Sequence, residues 1–108
     1  MALYKKFSKD NKTCTVEFYV SPEAAQGVSS IAVAGEFNNW AEQKDMLKKA
    51  TDGSFSGTVK MDADREYQFR YLYDGFKWEN DWAADGYVPN SYATTDNSVV
   101  KTYRKKKH

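Results

Sequence analysis

Apolar and polar positions alternate along most of this chain with a period of two. In 13-TCTVEFYV-20, Cys14, Val16, Phe18 and Val20 fall on one side, and Thr13, Thr15, Glu17 and Tyr19 on the other. That period, carried by β-branched and aromatic residues, predicts a strand buried on one face. The segment 54-SFSGTVKM-61 repeats it, with Phe55, Val59 and Met61 inward. In 66-EYQFRYLYDG-75, Tyr67, Phe69, Tyr71 and Tyr73 share the inward face, and Gln68, Arg70 and Leu72 the outward one. Shorter strands are expected at residues 3–7, 30–34, 76–79 and 98–103.

Turn signals separate these runs. Asp52-Gly53 and Asp74-Gly75 predict hairpins, because glycine takes positive φ without a steric penalty. Residues 21–23 and 86–90 read as loops, each built around a proline. Only 41-AEQKDMLKKA-50 has helical composition, enough for a turn or two. About seven short strands with regular turns predict an all-β, immunoglobulin-like β-sandwich. One domain is expected over residues 1–103, followed by a basic, disordered tail over 104–108.

Composition narrows the possibilities. A chain of 108 residues can bury a core without cross-links. Its single cysteine, Cys14, rules out an intrachain disulfide and fits a reducing compartment. The opening MALYKKFSKD lacks the apolar stretch of a signal peptide, and no apolar run approaches the ~20 residues of a membrane span. The expectation is a soluble, cytoplasmic protein with no membrane partner. The net charge of +1 hides an uneven distribution. Residues 1–100 hold 11 bases against 15 acids, and the balance comes from Lys101 and the tail. A body with net charge −4 lacks the basic footprint that phosphate neutralisation requires, so no nucleic-acid partner is expected. The tail reads as a solvated end.

Catalytic chemistry is poorly represented. The only histidine is His108, the last residue, so Cys14 has no base to activate it. Zinc-ligand spacing and a phosphate-binding glycine loop are both missing, and no cofactor or metal is expected. Asp81 and Asp85 could be compared with a glycosidase pair, but both stand among ordinary turn residues. Asp62 and Asp64 likewise read as hairpin residues.

The aromatic residues point elsewhere. They make up 16% of the chain, more than so small a core requires. Phe18, Phe55, Phe69 and Tyr71 are expected to fill the sandwich. Trp40, Trp78, Trp82, Tyr87 and Tyr92 instead fall in turns or at strand ends, among Asn, Asp and Gly. A pyranose ring presents an apolar C–H face and a rim of hydroxyls. An exposed indole covers the face, and Asn, Arg and Lys satisfy the rim. An indole in a turn can equally cap the end of the sandwich, with its ring buried.

The segments VAGEFNNW, DGSFSGTVKM, EYQFRYLYDGFKWENDWAADGYVPN and DNSVV resemble the family 48 carbohydrate-binding modules. These include the glycogen-binding domain of the AMP-activated protein kinase beta subunit and the N-terminal domains of isoamylases and glycogen branching enzymes. The resemblance runs in order over residues 12–103. It implies an early-set, immunoglobulin-like fold and non-catalytic binding of α-1,4-linked glucan such as glycogen, starch or maltooligosaccharides. In the glycogen-binding members two tryptophans clasp the glucan, and Trp40 and Trp78 stand in their places. DGFKW has one residue more than the commonest DGxW spacing. Arg70 matches the basic residue that bonds hydroxyls. In the late loop Tyr92 matches the bulky contact and Thr94 the hydroxyl. Asp96 occupies the usual asparagine position, with Asn97 next to it. The expected turn has Phe37 folded into the core, Asn38 and Asn39 fixing the bend, and Trp40 presented outward. The alternative is an early-set accessory domain that has lost sugar binding and docks on a separately encoded glucan-processing enzyme or complex. Enzymatic action on glucan is the weakest reading, since the related hydrolases need a much larger barrel.

Overall fold

The computed structural model describes residues 2–89 and 96–103. It is all-β. The strands in chain order are β1 (Ala2–Phe7), β2 (Thr13–Val20), β3 (Ile31–Gly35), β4 (Lys48–Lys49), β5 (Phe55–Asp62), β6 (Glu66–Tyr73), β7 (Lys77–Glu79), β8 (Gly86–Pro89) and β9 (Asp96–Lys101). A single 3-10 turn, Glu36–Asn38, follows β3. The first sheet has the order β1-β2-β5-β4, and the second β3-β6-β9-β8. Strand β7 also pairs with β6, because β9 takes Glu66–Phe69 and leaves Tyr71–Tyr73 for β7. All pairings are antiparallel.

The alternation read from the sequence sets the core. Along β2, Cys14, Val16, Phe18 and Val20 are buried in turn, while their neighbours are half-exposed. From the facing sheet come Val33, Phe69, Tyr71, Tyr73 and Val100. Phe18 locks the two layers together. Its ring lies 5.2 Å from Phe69 and 6.3 Å from Tyr71, both edge to face. Such pairs add about 0.5–1.5 kcal/mol each beyond area burial.

Two segments depart from the sequence reading. Residues 41–50 are not helical. Val33 N–H donates to Asp45 O at 2.9 Å and Leu47 N–H to Ile31 O at 2.8 Å, with Met46 bridging Ala32. Edge pairing with β3 and then, as β4, with β5 takes up the backbone groups a helix would need, and it covers an otherwise open sheet edge. Residues 86–89, expected as a loop, form β8 against β9. Pro89 ends that strand, and a proline is tolerated there because the strand lies at the edge of its sheet. Strand β6, by contrast, ends at Tyr73, directly before the Asp74-Gly75 signal, as the sequence predicts. Asp74 (φ 53) and Gly75 (φ 79) then turn left-handed, and Phe76 N–H closes on Tyr73 O at 3.1 Å. The expected tail, 104–108, lies outside the described residues, as do Tyr92 and Thr94.

Candidate binding face

Strand β6 lays out the face. Its inward residues fill the core, and Gln68, Arg70 and Leu72 point the opposite way, as the alternation predicts. Register decides what stands beside them. Ala34 of β3 pairs with Arg70, and Ala32 with Leu72. Trp78 of β7 pairs with Leu72, so it shares the Arg70 face. The extra residue in DGFKW is accommodated in the turn: Tyr73 pairs with Lys77, and Phe76 loops out, 78% exposed. An additional residue inside the strand would have sent the indole to the other face.

The backbone of Trp40 is anchored at the end of β3. Its N–H donates to Gly35 O at 2.8 Å. Asn38 holds the bend. It is buried, and its Oδ1 accepts from Gly35 N–H at 3.0 Å. Its Nδ2 donates to Val33 O at 3.0 Å and to Asp45 Oδ2 at 2.7 Å. Glu36 ties the bend to β6 by accepting from Gln68 N–H at 2.7 Å. Phe37 turns toward the core, with its ring 5.7 Å from Phe18 and 6.2 Å from Tyr67. The close approach needs Gly35, since a Cβ there would stand 2.5 Å from Gln68 O and 2.7 Å from Phe69 Cβ.

Asn39 (φ 56) and Trp40 (φ 59) are both left-handed. Asparagine tolerates that region; a bulky residue there is strained, and such strain collects at functional positions. Neither Trp40 nor Trp78 belongs to the core cluster or to the half-buried apolar side chains packed on it. Both are half-buried. Strand rise and spacing put the Gly35 and Trp78 backbones roughly 14 Å apart, with Arg70 between them.

Asn97 and Asp96 differ sharply. Asn97 is one residue from Ser98, which pairs with Phe69, so it lies on the Arg70 side. It is buried, and its Nδ2 donates to Gln68 Oε1 at 3.0 Å. Asp96 begins β9 and is exposed, and its carbonyl accepts from Asn80 Nδ2 at 2.7 Å. Leu72, outward by alternation, is only 3% exposed, so neighbouring groups cover it, while Gln68, Arg70 and Trp78 on the same side are half-buried.

The aspartates of the β7–β8 loop are structural. Asp81 is fully buried, which its setting among turn residues does not foretell. Its Oδ2 accepts from Tyr71 Oη at 2.6 Å and its Oδ1 from Ala83 N–H at 2.8 Å. Its N–H donates to Ser98 Oγ at 2.9 Å, and its carbonyl accepts from Tyr87 Oη at 2.6 Å. Tyr87, which read as a turn aromatic, is therefore a pin on β8. Asp85 is held by Lys5 Nζ at 2.6 Å and by Lys101 N–H at 2.8 Å. Trp82, between them, is 81% exposed.

Two tyrosines make stability depend on high pH. Burial, then the Asp81 charge and hydrogen bond, holds the Tyr71 phenol well above its ordinary range. Burial, then Glu79 and Asp81, pushes Tyr73 up to about 12. The unfolded chain releases these protons near pH ~10, whereas the folded chain keeps them. Their contribution is therefore intact below about pH 10 and is lost as pH rises toward about 12. The urea midpoint should fall across that window, and less steeply in Tyr73→Phe. Parallel curves for the two proteins would refute this assignment.

No protein-family model matches this chain, and no curated protein matches it. Among the described residues, no helix is long and apolar enough to cross a membrane, and no group of three or more His, Cys, Asp or Glu side chains could hold a metal ion.

Proposed function

We propose that this domain binds α-1,4-linked glucan, without catalysis, on the outer face of the second sheet. The observation that carries the reading is the register that sets Trp78 and Arg70 on one face. Trp40, in a strained backbone just beyond β3, joins them in the proposed site through the family resemblance. The indoles supply apolar faces for pyranose C–H groups. Arg70, with Gln68 beside it, supplies hydroxyl partners, and Asn97, buried and bonded to Gln68, belongs to the proposed site through the family resemblance. Tyr92, Thr94 and Asp96 belong to the proposed site through the family resemblance.

Topology supports an early-set, immunoglobulin-like assignment. The order β1-β2-β5-β4 opposite β3-β6-β9 corresponds to A-B-E-D opposite C-F-G in immunoglobulin sandwiches. Tyr67, near the start of β6, donates its hydroxyl to Asp62 O at 3.1 Å, as the tyrosine corner of such domains does. The cytoplasm remains the proposed location on the strength of the single cysteine.

A shallow site of this kind should bind at micromolar to millimolar strength, roughly −4 to −8 kcal/mol. Titration with maltoheptaose or β-cyclodextrin should change tryptophan fluorescence and saturate. No response at several millimolar sugar would end the proposal. The second reading, an accessory domain docking on a glucan-processing enzyme, is favoured by the exposed rings of Phe76 and Trp82. It predicts no response to sugar.

A further inference from the structure

The outer face of the second sheet continues past Trp78 into an open depression. Its volume is about 460 Å³, within the range of small-molecule sites. It lies between the loop after Trp40 and the β6–β7 turn. Met46 supplies its accessible apolar surface, above a floor of nearly buried Ala32 and Leu72, and Glu42, Gln43 and Asp74 supply its polar groups. Leu72 is the residue directly opposite Trp78, so the depression adjoins the proposed indole site.

From this we infer that the depression is an additional sugar subsite, which takes further residues of a glucan already held by Trp78 and Arg70. The inference rests on the proposed glucan-binding face. Three features select the occupant. The lining repeats the pairing of an apolar surface with hydrogen-bonding groups that a pyranose requires. Met46 is 48% exposed, so contact with C–H groups would remove apolar surface that water now wets. The described lining carries two carboxylates and no cation, which disfavours phosphate or any other anion and suits neutral hydroxyls.

The walls are already held in place. Asp74 Oδ1 accepts from Ser29 N–H at 2.7 Å and from Ser30 N–H at 3.0 Å, fixing the turn against the chain entering β3. Its second oxygen remains an acceptor for a hydroxyl. On the other wall, the Met46 bridge to Ala32 fixes the backbone that follows Glu42 and Gln43. Those two side chains are exposed and can be replaced without touching the core.

The test is a length series. Maltotriose, maltopentaose and maltoheptaose would be titrated calorimetrically into the whole protein and into the double variant Glu42→Ala/Gln43→Ala. Affinity should rise about fivefold or more from the trimer to the heptamer in the wild type. The double variant should bind the trimer unchanged and lose that increment. With methyl-labelled methionine, the Met46 signal should shift on adding the heptamer and stay in place with the trimer. Equal affinity for all lengths, or an increment that survives in the double variant, would overturn the subsite and leave the face intact. No binding at any length would overturn both.

Discussion

Asp81→Ala should destabilise the domain by about 3 kcal/mol, read as a lower urea midpoint at unchanged slope. The side chain is fully buried, and each oxygen has a donor. Its loss leaves Tyr71 Oη, at the centre of the sandwich, without an acceptor. A stranded buried donor costs about 1–3 kcal/mol, and the loss of a charge-assisted bond adds to that. One term opposes: the carboxylate no longer has to be kept out of water. That term does not dominate, because truncation leaves its partners in place with nothing to bond.

A double-mutant cycle separates the hydrogen bond from simple loss of packing. Tyr71→Phe removes the stranded hydroxyl but leaves Oδ2 of Asp81 without a donor. Combined, the two changes should cost clearly less than their sum, since each removes the other's orphan. Strict additivity, or a loss under about 1 kcal/mol for Asp81→Ala, would show that the loop is held by its backbone bonds to Ser98 and Tyr87 instead. The same geometry bears on chemistry. A carboxylate enclosed this way does not reach a substrate, and Asp85 is occupied by Lys5 and Lys101.

Asp81 also shows where sequence reasoning stops. Its partners Tyr71, Ser98 and Tyr87 lie on β6, β9 and β8. Only the fold brings them together, and nothing in 79-ENDWAADG-86 distinguishes a buried aspartate from a turn former. The faces of β2 and β6 were legible because strands pair on both sides, so alternation there has one meaning. Alternation assigns a side chain to a face but is silent about what lies above it, which is why outward Leu72 turns out to be covered. The 41–50 segment misled through composition. Its residues favour helix, yet the open edge of β3 recruits their backbone. The placement of Trp78 with Arg70 was legible only in part: the resemblance named the residues, while the inserted Phe76 left the face of the indole undecided until the turn was seen to absorb it. The depression beside Leu72 had no sequence signal, because its walls come from two loops far apart in the chain.

Replacing both Trp40 and Trp78 by alanine should remove detectable glucan binding while leaving the fold in place. An indole laid on a pyranose buries ~60–100 Å² of apolar surface, worth on the order of 1.5–2.5 kcal/mol. Losing two such contacts removes about 3–5 kcal/mol, more than a hundredfold in affinity, from a site expected to start no tighter than micromolar. Each single change should weaken binding by about tenfold or more. The half-buried rings make some loss of stability expected, but the fold should survive, because neither ring packs in the core and the Trp40 bend is fixed by Asn38 and Glu36. Calorimetry with maltoheptaose checks the affinity and a urea melt checks the fold. A folded double variant that still binds within about threefold of the wild type would mean that the indoles do not hold the sugar. The strained backbone at Trp40 would then need another explanation, and the exposed rings of Phe76 and Trp82 would be the place to look for a protein partner.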